Sequence, residues 1–122
     1  GTQALADELG KEGAGVVVSQ VVPSPYKASS AVTREFLALI AQGGNKVQPN
    51  FSSMEGFMAA KLFAEGMRRA SGRPTRDGLI SGLESIRNYA MGGFDVSFSG
   101  SNHVASKYVE LSMLTGDGRV RT

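Results

Sequence analysis

The stretch SSMEGFMAAKLFAEGMRRASG, residues 52–72, decides how this chain is read, because it marks both ends of one helix. Ser52 and Glu55 satisfy the serine, two spacers, glutamate pattern of a capping box, in which each side chain takes up the other residue's unpaired backbone N–H. Gly72 supplies a left-handed stop. At about 100° per residue, Phe57, Ala60, Phe63, Ala64, Met67 and Ala70 gather on one broad face, with Glu55, Lys61, Glu65, Arg68 and Arg69 opposite. Met54, Met58 and Leu62, spaced by four, form a second apolar row inside that charged arc. A helix that only covered a core would keep one wet face. The start of this one is therefore expected to be enclosed on two sides, by a sheet and by something else.

Working outward, residues 2–10 read as a short helix ended by Gly10. GVVVSQVVPSP follows, a β-branched run rather than an alternation, which suits a strand covered on both faces in a parallel sheet and stopped by Pro23 and Pro25. A helix over about 29–42 carries Val32, Phe36, Leu39 and Ile40 and stops at Gly43 and Gly44. Downstream of the opening helix, Thr75 caps another that turns Leu79, Ile80, Leu83 and Ile86 inward. Its Gly78 and Gly82 cost about 1 kcal/mol each against alanine and would permit close packing. Phe94, Val96 and Phe98 then alternate with polar residues as a half-buried strand, SGSN turns, KYVELSML alternates again, and TGDGRV is a glycine turn. Helix, strand, three helices and two strands make a layered α/β class. So few strands are a poor sheet for four helices, which points to part of a larger α/β protein.

Bulk composition narrows the function. The 122 residues are 41% hydrophobic and 20% charged, the size and balance of one ordinary domain. No run approaches the roughly 20 apolar residues of a membrane span, and the opening GTQALADELG lacks signal-peptide regions. With no cysteine there is neither a disulfide framework nor a thiolate metal site. Thirteen basic against 11 acidic residues leave no field for steering nucleic acid, so no nucleic-acid partner is expected. The cluster Arg68, Arg69, Arg73 and Arg76 reads as cations at a helix C-terminus. RRAS resembles a basic kinase site at Ser71, although serine before a terminating glycine is ordinary helix punctuation.

Catalysis needs convergent ionisable groups, and few are present. The single histidine, His103, lies in a polar loop without a metal-ligand spacing and reads as an exposed loop residue. No GxSxG elbow occurs, GKEGAG precedes a strand rather than following one, and GDG at 116–118 lacks the acidic residues of a calcium loop. Asp77 with Glu84, and Asp7 with Glu8, read as solvated charge beside basic neighbours. No catalytic residue, metal or cofactor is assigned, and binding is favoured over enzymatic activity.

Three segments, GVVVSQVVPSPY, SMEGFMAAKLFAEGMRRASGRPTRDGLISGLESI and GGFDVSFSGSNHVASKYVELSMLTGDGRVR, resemble in order and spacing the C-terminal portion of the type I periplasmic binding proteins. More narrowly, they resemble the leucine/isoleucine/valine-binding branch, the substrate-binding subunits of ABC uptake systems. The resemblance spans nearly the whole chain and implies a clamshell of two Rossmann-like lobes that close by hinge motion on a ligand in the cleft. It implies that residues 1–25 are second-lobe helix, strand and hinge, residues 26–105 a first-lobe part, and residues 106–122 the return strand and C-terminal hairpin.

The resemblance also gives the opening helix a purpose. If its N-terminus points at the cleft, the free N–H groups and positive dipole end suit an acidic ligand group, and Tyr26, Ser53, Met54 and Glu55 are the candidate ligand-binding residues. The alternative is that Met54 and Met58 are core filler. The function implied is capture of a branched-chain amino acid, or a related small carboxylate or aromatic solute, in the periplasm or outside a membrane anchor, and delivery to an ABC permease. Two other readings stay open: a fragment of a cytosolic α/β enzyme, and the sensory ligand-binding domain of a receptor or regulator. An apolar strand whose sheet is incomplete further predicts that the piece forms a homodimer or refolds into a compact unit unlike its parent.

Overall fold

Asn50, and not Ser52, begins the long helix. In the computed structural model, which describes residues 1–44, 46–70, 72 and 74–122, the Ser53 N–H donates to Asn50 Oδ1 at 2.8 Å and the Asn50 N–H donates to Ser53 Oγ at 3.1 Å. The reciprocal box is thus present but set two residues earlier, and the helix runs Phe51–Arg69. Ser71 and Arg73 lie outside the described residues, and with them the kinase-like reading and one member of the basic cluster.

The element order is α1 (Thr2–Leu9), a 3₁₀ turn (Gly10–Gly13), β1 (Val17–Gln20), α2 (Ala31–Gln42), α3 (Phe51–Arg69), α4 (Arg76–Glu84), β2 (Tyr89–Ala90), β3 (Asp95–Val96), β4 (Glu110–Leu114) and β5 (Val120–Arg121). Two compact units result, one of Gly1–Glu55 with Tyr108–Thr122, the other of Gly56–Lys107.

The first unit holds a three-stranded sheet in the order β1-β4-β5, antiparallel throughout. The parallel, doubly covered strand expected for the valine run is corrected here. Val17 pairs with Met113 and Ser19 with Leu111 on one face, Val18 with Ser112 and Gln20 with Glu110 on the other. Val17, Leu111 and Met113 are 58%, 63% and 44% exposed, while Gln20 and Ser112 are buried. The polar face is the inner one, and most of it is satisfied there: Gln20 donates to Thr2 Oγ1 at 2.8 Å and Ser112 Oγ lies 3.2 Å from Thr122 Oγ1, while the buried Glu110 Oε2 has no hydrogen-bond partner among the described residues. Period-2 spacing in β4 marked two faces but not which of them turns inward.

Around that sheet the buried segment Val22, Pro23, Ser24 and Pro25 meets α2. Ser30 caps α2 by accepting from the Thr33 N–H, and Thr33 Oγ1 donates to the Ser24 carbonyl at 3.1 Å. Val32 and Phe36 are buried, whereas Leu39 is exposed. Gly116 and Gly118 take φ of 82° and 81° in the β4–β5 turn, as the sequence requires.

In the second unit α3 and α4 touch backbone to backbone. A Cβ at Gly82 would stand 2.2 Å from the Gly66 carbonyl oxygen, so Gly82 does permit the close packing expected of it. Thr75 caps α4 through the Gly78 N–H at 3.0 Å. Ile86 is fully buried, but Ile80 is half exposed rather than inward. The strand read over Phe94–Phe98 shrinks to Asp95–Val96, paired with Tyr89–Ala90, yet its alternation survives because Phe94 and Val96 are buried.

Along α3 the row of Met54 and Met58 is enclosed, as the core-filler alternative has it, but the broad face assigned inward is not. Met54 and Met58 are buried, and Ala60, Phe63 and Ala64, assigned to the broad inner face, are exposed. Glu65, placed in the charged arc, is buried and holds Arg68 at 2.6 Å and Arg69 at 2.8 Å.

Candidate functional site

Residues just past Pro25 face a cleft of about 570 Å³ in the first unit, lined by Ser24, Tyr26, Lys27, Thr115, Arg119 and Arg121 among others. Chain geometry explains the gathering. Two prolines end β1's extension and fix the direction of Tyr26, while the β4–β5 turn brings the hydroxyl of Thr115 and the cations Arg119 and Arg121 to the opposite wall. Tyr26 is held edge-on to Phe51, ring centroids 5.8 Å apart. Its hydroxyl donates to Gln3 Oε1 at 3.0 Å, and Gln3 Nε2 in turn donates to Asp7 Oδ1 at 3.0 Å and the Gly118 carbonyl at 2.8 Å. Burial, with the Asp7 charge adding to it, raises the Tyr26 hydroxyl above its ordinary pKa.

One acid stands among these cations. Asp117 accepts from the Thr115 hydroxyl and from the Arg119 N–H at 3.2 Å, and Thr115 together with Arg119 lowers its pKa. Its charge is therefore largely spent on the turn itself. Asp117 Oδ2 also stands 3.7 Å from Arg119 Nε, so Lys27 and Arg121 leave the cleft net positive, suited to a carboxylate, with Tyr26 offering an aromatic edge beside it.

The four residues singled out in the sequence do not share one surface. Tyr26 opens on the cleft. Ser53 is half buried and occupied by capping, its N–H on Asn50 Oδ1, so the α3 start has fewer donors to give an anion than the sequence implied. Met54 has no exposed surface, and Glu55 is exposed. Lys27, Arg119 and Arg121 went unremarked in the sequence. The glycine turn at 116–118 was the signal available for the last two, since a hairpin returns its second strand beside the first. Among the described residues no cluster of three or more metal-ligating side chains occurs, and no helix is long and apolar enough to cross a membrane.

Comparison with known proteins places the chain. The family model described as periplasmic binding protein matches residues 1–119. A crystal structure of a substrate-binding periplasmic protein from Ralstonia solanacearum is 38% identical, with a TM-score of 0.76 over 86% of this chain and 30% of that one. An extracellular ligand-binding receptor from Verminephrobacter eiseniae is 25% identical, TM-score 0.78, over 90% of this chain and 31% of that one. A possible leucine/isoleucine/valine-binding protein from Rhodopirellula baltica shares the fold, TM-score 0.89 at 24% identity, over 96% of this chain and 32% of that one. No curated protein matches the chain. The chain belongs to the periplasmic binding protein family, and it carries an α/β part of the type I fold. It spans a little under a third of the length of these matched structures.

Proposed function

We propose that this chain is part of a longer, two-lobed receptor that captures a small solute outside the cytoplasm and passes it to an ABC permease, without chemical conversion. The observation that carries the reading is the family match over residues 1–119 together with 38% identity to a substrate-binding periplasmic protein. The exposed apolar face of β1 and β4 supports it, since Val17, Leu111 and Met113 would gain cover in a longer chain. In this reading residues 1–25 are second-lobe helix, strand and hinge, residues 26–105 a first-lobe part, and residues 106–122 the return strand and C-terminal hairpin.

The ligand is a branched-chain amino acid or a related small carboxylate or aromatic solute, with Tyr26, Ser53, Met54 and Glu55 near it. Lys27 and Arg121 supply positive charge beside Tyr26. The test is a thermal-shift screen of the full-length parent against branched-chain amino acids and aromatic acids. Saturable stabilisation by a member of these classes, with no turnover, is expected, and Tyr26→Ala is expected to weaken it about tenfold, the effect of losing one aromatic contact and one hydroxyl. A folded parent stabilised by none of them would refute the ligand class. A parent gene carrying an appended signalling domain in place of neighbouring permease genes would replace uptake by sensing.

A further inference from the structure

We propose a second binding site in the Gly56–Lys107 unit: the pocket of about 200 Å³ formed by Ile80, Leu83, Glu84, Phe98 and His103 takes a small primary amine with a compact apolar body. It shares no residue with the Tyr26 cleft, and it stands or falls independently of solute uptake.

The frame is pre-formed. Ile80, Leu83 and Glu84 lie one turn apart on a single face of α4. Phe98 is fixed by its N–H to the Ile86 carbonyl at 2.9 Å, and its own carbonyl accepts from the Arg87 guanidinium. Beyond it, Ser99 and Asn102 exchange backbone hydrogen bonds of 2.9 and 3.2 Å, and Asn102 Oδ1 accepts from the Val104 N–H, so the loop carrying His103 is pinned. The walls are aliphatic and aromatic, yet Ile80 is 49% exposed, an apolar surface left open beside the pocket. At roughly 30 Å³ for a water-sized group, the space fits about half a dozen non-hydrogen atoms.

The rim supplies the charge. Glu84 Oε1 pairs with His103 Nε2 at 2.9 Å, while Oε2 accepts no hydrogen bond from a described residue. Glu84 is also the last residue of α4, where the helix dipole is negative. Two cations stand nearby: Nη1 of Arg87 donates to the carbonyls of Glu84, Ile86 and Phe98, and Nη1 of Arg69 donates to the Ser85 carbonyl at 3.1 Å. An ammonium reaching Oε2 while its hydrocarbon lies on Ile80, Leu83 and Phe98 satisfies both halves of the site; a carboxylate of the same shape meets like charge.

Isobutylamine, isobutanol and isovalerate, titrated at pH 7 into the 122-residue chain carrying labelled Ile and Leu methyls, distinguish these cases. Isobutylamine is expected to shift the Ile80 and Leu83 methyls saturably, isobutanol to bind at least tenfold more weakly, and isovalerate to leave them unmoved. Glu84→Gln, which can still accept from His103, is expected to lose at least tenfold in amine affinity. Ile80→Trp fills the pocket from its exposed side and is expected to abolish the shift of the remaining Leu83 methyls, which decides the matter if Glu84→Gln does not fold. Equal binding of amine and alcohol, unchanged amine binding in Glu84→Gln, or no saturable shift at Ile80 and Leu83 would each overturn the proposal.

Discussion

Gly82→Ala tests the packing of α3 on α4 most directly. The added methyl carbon would lie 2.2 Å from the Gly66 carbonyl oxygen, 3.1 Å from its carbon and 3.2 Å from the Ala70 nitrogen. All three are backbone atoms, so no rotamer change makes room. Reaching ordinary contact, near 3.4 Å, requires the two helices to part by roughly 1 Å. The same methyl disturbs the Ala70 N–H to Gly66 carbonyl bond of 3.1 Å. Helix propensity favours alanine by about 1 kcal/mol, and overpacking against backbone that cannot rotate away costs about 2–3 kcal/mol, the upper part of the usual range. The second effect wins, for a net loss of about 1–2 kcal/mol. Gly56→Ala is the control, because that helical position is exposed and its Cβ meets nothing within 4 Å; it is expected to stabilise by about 1 kcal/mol. With a urea m-value of about 2 kcal/mol/M, the two variants' midpoints should differ by about 1–1.5 M. Gly82→Ala as stable as the parent chain, with Gly56→Ala behaving as described, would refute the backbone contact.

Three further outcomes follow from named contacts. Glu65 has its pKa lowered from 4.5 to about 2 by hydrogen bonds from Arg68 and then Arg69, so its stabilising share is present above pH 4.5 and lost as pH falls through about 2; the melting-temperature gap between the parent chain and Glu65→Gln should close over that window. Asn50→Ala removes the Ser53 cap and should cost about 1–2 kcal/mol in denaturant unfolding, with Asn50→Asp recovering most of it. Burial, then a hydrogen bond to Glu110, raises Tyr108 from 10.0 to about 12, so its stabilisation holds below pH 10 and is lost as pH rises through about 12; ultraviolet titration should find a late-ionising tyrosine that Tyr108→Phe deletes.

Local chemistry was legible because it depends on neighbours in sequence. The Thr75 cap, the Gly43 and Gly44 stop, the Gly116 and Gly118 turn and the Phe94/Val96 alternation all involve residues within a few positions of one another. Even the displaced capping box illustrates this: Asn50 and Ser53 have the same spacing as Ser52 and Glu55, and the pattern alone offers no way to choose between them. The cleft beside Tyr26 was only half legible, since Lys27 lies next to it in sequence while Arg119 and Arg121 arrive by way of a hairpin. Glu84 and His103, 19 residues apart, carried no local signal of their pairing.

By itself the sequence determined the helices, the main turns and, through the order of its motifs, the family to which they belong, though not the short strands Tyr89–Ala90 and Val120–Arg121. The tertiary structure decided which faces those elements bury. Met54 and Met58 went inside while Phe63 stayed out, and Gln20 and Ser112 took the inner side of the sheet in place of Leu111 and Met113. Periodicity divides an element into sides, but burial depends on what the rest of the polypeptide brings against each side. That choice is made by packing and by the hydrogen bonds that buried polar groups can find, neither of which is written in any one segment.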